Sequence, residues 1–447
     1  MEKLLPTEIA LDIFSRLPAE SVLECKQVCK TWRNILSLPY FADMHLHYQL
    51  LQFDHDQNFN NKNSNINGAV GKVGLGLLFL TCSLGHGKQL YYGKYDDNDE
   101  QQSYKRLKRI NHHEFHRTAT IIGSCNGLVC FSNFHPLNNV IYLYNPITKE
   151  CVNLPRFSDE RNSMGQIMSG FGYHPSANEY KVVRFYYPMG VQPPFVGQVQ
   201  VYTLGSRCGW RNKEDITFPV GNLNSKRGIL ANGALHWMDK EGKILAFDLA
   251  DEEFHLLPSP PCFQSDLYSF FELRVLESCL CVVHHKIYGS IDIWSLKKTK
   301  NSTTNNVKEV QESYKSWNWS REFSIAKWQG GCNNVAPEIL ALTKSGEVLL
   351  WDDDTILSSY DPKTATLKQL VGDNGTPFIF HETIPHINSF VSLKALGERS
   401  EALENMKSIA SSKALGQKTR KRRSEAIQNM KSGQRSRKRI WNDSRIN

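Results

Sequence analysis

The sequence predicts a mainly β protein: a three-helix module in front, a β-propeller of six or seven blades behind it, and a disordered or partly helical basic tail. Three observations predict this. Helical spacing of apolar residues is confined to residues 1–46, a unit of four short apolar runs recurs through residues 71–392, and charge is segregated. The 447-residue chain has a net charge of +8, yet residues 393–447 hold 15 Lys/Arg against 5 Asp/Glu, leaving 38 and 40 for the rest. The body is close to neutral, and the basic character belongs to the tail.

At the front, "LPTEIALDIFSRLP" (5–18) places Leu5, Ile9, Ile13 and Leu17 four residues apart, with Phe14 widening the stripe and Glu8, Asp12 and Arg16 between them. That is helical periodicity. Pro6 suits a first turn, where its missing N–H costs nothing. Pro18 stops this helix, and Ser21 is placed to cap a second carrying Val22, Leu23 and Val28. A third holds Trp32, Ile35 and Leu36, and Pro39 ends it. Three helices in about 40 residues sit near the lower limit of independent folding. Such a module either caps the domain behind it or offers apolar surface to a partner.

The residue order decides between these. "LPTEIALDIFSRLPAESVLECKQVCKTWRNI" resembles an F-box: Leu5-Pro6, then Glu8-Ile9, then Leu17-Pro18, then Val28-Cys29-Lys30-x-Trp32-Arg33. The resemblance implies docking on the Skp-type adaptor of a cullin-based ubiquitin ligase and, through it, a link to a cullin and a RING subunit. It puts Leu5, Pro6, Ile9, Ile13, Leu17, Pro18, Val22, Leu23, Val28 and Trp32 at or behind that interface, with Lys30 and Arg33 at its rim. Glu24 and Cys25 depart from the pattern, standing where relatives commonly place a basic residue and an aromatic.

Residues 47–70 include the Asn-rich "DHDQNFNNKNSNING" and read as a linker or long loop. Beyond them the texture changes. Runs of four to seven apolar residues alternate with Gly, Pro, Asn and Asp clusters, the signature of strands and turns. One strand type ends in an aromatic marker, and Tyr144, Tyr202, Phe247, Trp294 and Tyr360 lie 58, 45, 47 and 66 residues apart. A companion strand pair precedes each marker, and "VGLGLLFLTCSLGHGKQLYYGKY" (73–95) is a weaker sixth copy. This is the period of a propeller blade, whose faces are buried only against neighbouring blades. "CNGL" and "ANGAL" carry the Asn-Gly signal of tight hairpins.

The order of "GFGYHPSANEYKVVRF", "NGALHWM", "AFDLADEEFHLLPSP", "IDIW" and "INSFVSL" resembles the F-box-associated, kelch-like region of a large plant F-box family. That resemblance implies a region that holds the protein to be ubiquitinated. The chain is then a non-catalytic substrate-recognition subunit, its substrate unspecified. The rival reading is a ligase-independent nuclear interaction protein using propeller and tail. Two loops, 186–197 and 261–271, suit either recognition or packing over their own blades.

No catalytic motif is present: nothing fits Gly-x-Ser-x-Gly, a phosphate-binding Gly-rich loop with Lys, or His-Glu-x-x-His. His112 and His116 could share a helical face, but no third metal ligand is evident. The reading therefore calls for no catalytic residue, cofactor or metal. The first residues carry acids where a secretory signal would be apolar, and no run approaches a membrane span. The 11 cysteines are thus expected as reduced thiols in a soluble intracellular chain. In the tail, "RSEALENMKS" returns as "RSEAIQNMKS". Two basic clusters, Lys418, Arg420, Lys421, Arg422 and Arg423, then Arg435, Arg437, Lys438 and Arg439, lie a dozen residues apart. They fit a bipartite signal for importin and a chain shared between nucleus and cytoplasm. Weak attraction to nucleic acid and simple solubilisation are the other readings.

Overall fold

The computed structural model describes residues 6–54, 76–82, 87–95, 104–110, 115–133, 140–156, 165–188, 196–218, 227–239, 241–264, 269–276, 278–286, 289–298, 317–325, 337–343, 345–352, 356–371 and 379–398. The front of the chain forms four helices, not three: α1 (Thr7–Ser15), α2 (Ala19–Val28), α3 (Lys30–Ile35) and α4 (Pro39–Asp54). Pro39 opens the fourth instead of closing the module, because a first helical turn makes no use of the N–H that proline lacks. Residues 47–54, expected as linker, continue α4. Ser21 lies inside α2, whose N-cap position is Pro18. Between α2 and α3 the backbone extends at Cys29 (φ −154°), whose Sγ accepts the Trp32 N–H at 3.4 Å.

Behind the helices, the described strands form six four-stranded antiparallel sheets. From the axis outward, blade 2 is Ala119–Cys125, Leu128–Asn133, Val140–Tyr144 and Cys151–Asn153; blade 3 is Gly165–His174, Glu179–Pro188, Gln198–Thr203 and Trp210–Asn212. Blade 4 is Ile229–Ala231, Ala234–Met238, Ile244–Asp248 and Phe254–Leu257. Blade 5 is Phe270–Leu276, Cys279–His285, Ile291–Lys298 and Trp317–Ile325. Blade 6 is Glu338–Leu342, Val348–Asp352, Ile356–Asp361 and Thr366–Val371. Blade 1 takes three strands from the region of the weak sixth copy, Gly76–Cys82, Gln89–Tyr95 and Tyr104–Arg109, and its innermost, Ile379–Pro385, from the far end of the propeller sequence. Each innermost strand touches those of both neighbours, which closes the ring. Closure removes the open sheet edges that would otherwise invite aggregation.

The expected markers fall into register. Tyr144, Tyr202, Phe247, Trp294 and Tyr360 all lie in third strands, and their companion pairs are the first and second strands. Asn126–Gly127 and Asn232–Gly233 turn with φ of 50° and 85°, and 51° and 78°, the left-handed pair that matches hairpin twist. After the third strand, three blades repeat one turn. Asn145, Asp248 and Asp361 each accept, through Oδ1, the N–H two residues on, and the residue four on (Lys149, Glu252, Ala365) has positive φ.

Blades interlock through buried side chains. Phe185 of blade 3 meets Trp237 of blade 4 edge-on at 4.7 Å. Trp210 and Trp319 donate Nε1–H to the Pro155 and Pro258 carbonyls of preceding blades at 2.8 and 2.7 Å. Glu252 on blade 4 gathers three cations from blade 3, Lys181 at 3.0 Å, Arg211 at 2.6 Å and Lys213 at 3.0 Å. Burial alone would raise its pKa, but hydrogen bonds from these three bring it down to about 2.

Because strands alternate in direction, the two ends of the ring differ. The first-to-second and third-to-fourth turns share one end, called here the near end; some are only two residues long. At the far end the second strands lead toward the third and each blade toward the next, over sequence intervals of 7 to 16 residues between blades. Among the described residues no helix is long and apolar enough to cross a membrane, and nine of the cysteines there carry thiols not joined in a disulfide.

Candidate functional site

α1 has two apolar edges, and they part company. Ala10, Leu11 and Phe14 turn inward with Ala19 and Val22 of α2, Leu36, and Phe41 of α4. Ile9 and Ile13, one turn apart on the expected stripe, instead stand 48% and 46% exposed. Val28 (65%), Leu38 and Tyr40 (67%) are exposed on the same module. An outward pair at i and i+4 costs nothing in a helix, yet isolated apolar residues seldom cluster this densely on a small surface without a partner.

The other predicted docking residues sit at graded depth. Pro6 is exposed; Leu17, Pro18, Leu23 and Trp32 are half-buried; Val22 is wholly buried and lies behind the surface rather than on it. Leu5 lies outside the described residues. Trp32 meets Phe14 edge-on at 4.8 Å, so the large ring braces the module as well as facing outward. Beside the Ile9–Ile13 edge, Asp12 pairs with Arg16 at 2.9 Å and accepts the Tyr48 hydroxyl at 2.9 Å. The Tyr48 hydrogen bond first, and Arg16 second, hold its carboxyl below the usual range.

The module's inner face is fixed to the near end of the ring by residues 386–393, a strap that comes after the last strand. Sequence reading placed "INSFVSL" with the propeller without foreseeing this role. Phe390 enters the helical core, at 5.9 Å from Phe41 and 5.1 Å from His45, with Lys26 Nζ 4.3 Å above its ring. Burial lowers the Lys26 pKa, and burial brings His45 down to about 4, while a His45 ring N–H meets the Leu17 carbonyl at 2.9 Å. Asn388 donates to Glu20 at 2.6 Å. A small half-open cleft of about 20 Å³ remains between module and ring, lined by Pro18, Glu20, Gln49, Tyr92, Lys94 and His386 among others.

Residues 393–398, placed with the tail by sequence reading, continue across the near end. Leu393 is buried, and the Glu398 carboxylate accepts from Tyr202 Oη at 3.1 Å and the Gly205 N–H at 2.8 Å. The import candidates between Lys418 and Arg439 lie outside the described residues.

The described flanks of both loops singled out in the sequence lie at the far end. Residues 189–195 lie outside the described residues. In the second, Cys262 is buried and Phe263 stacks on Phe271 at 3.8 Å, so this stretch packs on its own blade. Toward the axis, Arg274 Nη2 bridges Glu272 and Glu338, each at 2.7 Å, and Glu382 accepts the Ile121 N–H at 2.6 Å. Burial raises the Glu382 pKa. These are ties between neighbouring blades; sequence reading missed them because no local pattern marks an axis-facing charge.

Sites for a metal are scant. His112 lies outside the described residues, and His116 hydrogen-bonds Thr118. Asp251, Glu253 and His255 bring donor atoms within 4.8 Å, but Asp251 already accepts the Glu253 N–H as part of its turn.

Comparison with known proteins matches residues 3–41 to an F-box-like model and residues 79–371 to the F-box associated beta propeller domain. From Arabidopsis thaliana, F-box protein At3g07870 is 28% identical over 421 residues, covering 85% of this chain and 90% of that protein. F-box protein CPR1 is 26% identical over 72% of this chain and 73% of its own. F-box/kelch-repeat protein At3g23880 is 26% identical over 66% and 76%.

Proposed function

The chain belongs to the F-box proteins with an F-box associated β-propeller, and from that premise we propose that it is the substrate-recognition subunit of a Skp–cullin–F-box ubiquitin ligase. F-box domains generally bind Skp1-type adaptors. Here Pro6, Ile9, Ile13 and Val28 meet the adaptor, Leu17, Pro18, Leu23 and Trp32 support that surface, and Val22 lies behind it. One observation carries the reading: α1 leaves Ile9 and Ile13 in water while its opposite edge is buried against the chain's own core. About half of each isoleucine is still in water, so covering both against a partner gains about 0.7–1.5 kcal/mol each.

The protein to be ubiquitinated is held at the far end of the ring, where long connections on a rigid frame allow recognition to vary without disturbing the fold. The chain supplies no reacting group. It raises the effective concentration of a substrate lysine near the charged conjugating enzyme. The basic clusters of the tail support import through importin, and hence residence in nucleus and cytoplasm. Titrating a purified Skp1-type adaptor from Arabidopsis thaliana against the full chain tests the docking assignment. A one-to-one complex with a Kd in the nanomolar to low micromolar range is expected, and absence of binding at tens of micromolar sinks it.

A further inference from the structure

Among the described residues the ring exposes one large aromatic side chain, and it stands at the mouth of the axis. Phe270 opens the first strand of blade 5 at the far end and is 48% exposed. The ring's other exposed large apolar residues lie off the axis: Leu256 and Leu367 in outermost strands, Val196 ahead of a third strand. Directly across the sheet from Phe270 stands His285, with ring centres 5.7 Å apart. His285 is 6% exposed, and neither of its ring nitrogens has a hydrogen-bond partner. Buried polar atoms are rarely left unpaired, because each one so left destabilises the fold. Burial brings the His285 pKa down to about 4, so near pH 7 the ring is neutral and keeps a lone pair that can accept.

Glu272 follows two residues after Phe270 and shares its face of the sheet. Arg274 ties Glu272 to Glu338, which opens the first strand of blade 6, each at 2.7 Å. Two carboxylates thus share one guanidinium, and the carboxylate stands nearer water: the Glu338 side chain is 33% exposed against 15% for Arg274. Farther along the axis the order repeats, with Lys88 lying 4.0 Å from a more exposed Glu382. Arg227 of blade 4 senses the same carboxylates, and burial lowers its pKa. In both ion pairs the cation is the inner member and the carboxylate the outer one.

We propose that the mouth of the axis between blades 5 and 6 reads arginine. An extended segment of the protein to be ubiquitinated lays a guanidinium on the Phe270 ring and donates from it to the outer Glu338 carboxylate. As the exposed Phe270 side chain turns aside, a second N–H of the guanidinium reaches a His285 nitrogen. This deepens the far-end reading above and rests on it. A guanidinium fits because it is planar, stacks on an aromatic face and carries five donors in one fork; an ammonium has no flat face to stack. A segment rich in carboxylate or phosphate meets the outer carboxylates first and is rejected.

The test titrates labelled Ala-Arg-Ala-Arg-Ala against the full chain at about 0.15 M salt, beside versions with lysine, citrulline or glutamate in place of arginine. The arginine peptide is expected to bind in the micromolar range, the lysine peptide at least threefold more weakly, and the citrulline and glutamate peptides at least tenfold more weakly. Phe270→Ala, His285→Leu and Glu338→Gln should each raise Kd at least fivefold. Phe270→Tyr keeps the ring and should keep the Kd, as should Leu256→Ala on the outer rim. An unmoved thermal midpoint for Phe270→Ala shows that lost binding is not lost fold. The proposal is overturned if Phe270→Ala binds as the wild type does, or if citrulline serves as well as arginine. It is also overturned if Arg420→Gln with Arg422→Gln and Arg423→Gln tightens the peptide Kd at least tenfold, since the occupant would then be the chain's own tail. Adaptor titration run alongside separates the two readings. A chain that binds the adaptor but no arginine peptide loses this site alone, and one that binds the peptide but no adaptor loses the ligase reading and keeps the site.

Discussion

Ten large apolar side chains stand exposed among the described residues, and the helical module owns six: Ile9, Ile13, Val28, Leu38, Tyr40 and Leu51. The ring, several times longer, owns four: Val196, Leu256, Phe270 and Leu367. Both regions are built from amphipathic elements, so composition does not separate them. The ring supplies every blade with a neighbour on each side, and its middle strands largely bury both faces. The module has the strap on one side and, among the described residues, nothing of this chain on the other. The contrast is between a ring that covers its own apolar faces and a module that leaves one uncovered, which is what the proposed docking requires.

The sharpest way to break that contrast is to treat an apolar residue of each region alike. Phe247→Ala, in the wholly buried third strand of blade 4, should cost about 3–5 kcal/mol in denaturant unfolding. Ile9→Ala should stay within about 0.5 kcal/mol. A comparable loss at Ile9 would mean that its edge is core. Next, Ile9→Asp with Ile13→Asp should weaken adaptor binding at least 100-fold, about 2.7 kcal/mol at 1.36 kcal/mol per tenfold, with the thermal midpoint of the ring unmoved. Leu256→Asp and Leu367→Asp, at positions 66% and 47% exposed on blades 4 and 6, should leave the same Kd intact.

A finer comparison lies within the repeated turn. Asn145→Ala removes the turn bond and both bonds to the strap, at the Ser389 and Val391 carbonyls, and should cost about 1–3 kcal/mol. Asp361→Ala removes only an exposed turn and should cost about 1 kcal/mol or less. Equal costs would mean that the strap contributes little.

Smallest is the response to acid, where the regions should separate by pH window. His45 titrates at about 4 in the folded module against an ordinary 6.5, because burial disfavours its charged form. The unfolded chain then binds more protons between those values, so this contribution, full above pH 6.5, is lost as pH falls to 4. Glu252 has a folded value near 2 against an ordinary 4.5, so its contribution is full above 4.5 and lost as pH falls to 2. His45→Gln should flatten the first window for hydrogen exchange in α1–α4, and Glu252→Gln the second for blades 3 and 4. A flattening in the other window would reassign the groups.

Much of the ring was legible because a blade is a local object. Asn126–Gly127 announces a hairpin, and Tyr144 or Phe247 marks a third strand within a few residues of its partners. Blade 1 was only half legible, since Ile379–Pro385 pairs with residues at the opposite end of the sequence and no local rule points there. In α1 the spacing revealed an apolar stripe but not its direction. Ile9–Ile13 and Leu11–Phe14 are both helical neighbours, and only the placement of α2, α4 and Phe390 decides which pair is covered. The fourth helix was hidden by Pro39, because a proline can end one helix or begin another and its own identity does not say which. Depth behind the proposed docking surface, as for Val22, is a tertiary property that a motif does not encode.

The shared blade also sets how the molecule yields to force. Leu77 sits opposite Pro385 in the antiparallel register, so the two ends of the ring leave it side by side. Tension applied between them would load the rungs singly, like a zip drawn from its open end, instead of shearing all of them together. A machine that pulls this chain from Gly76 and Pro385 would need little strength to part blade 1, and the remaining five would then unravel from a free edge.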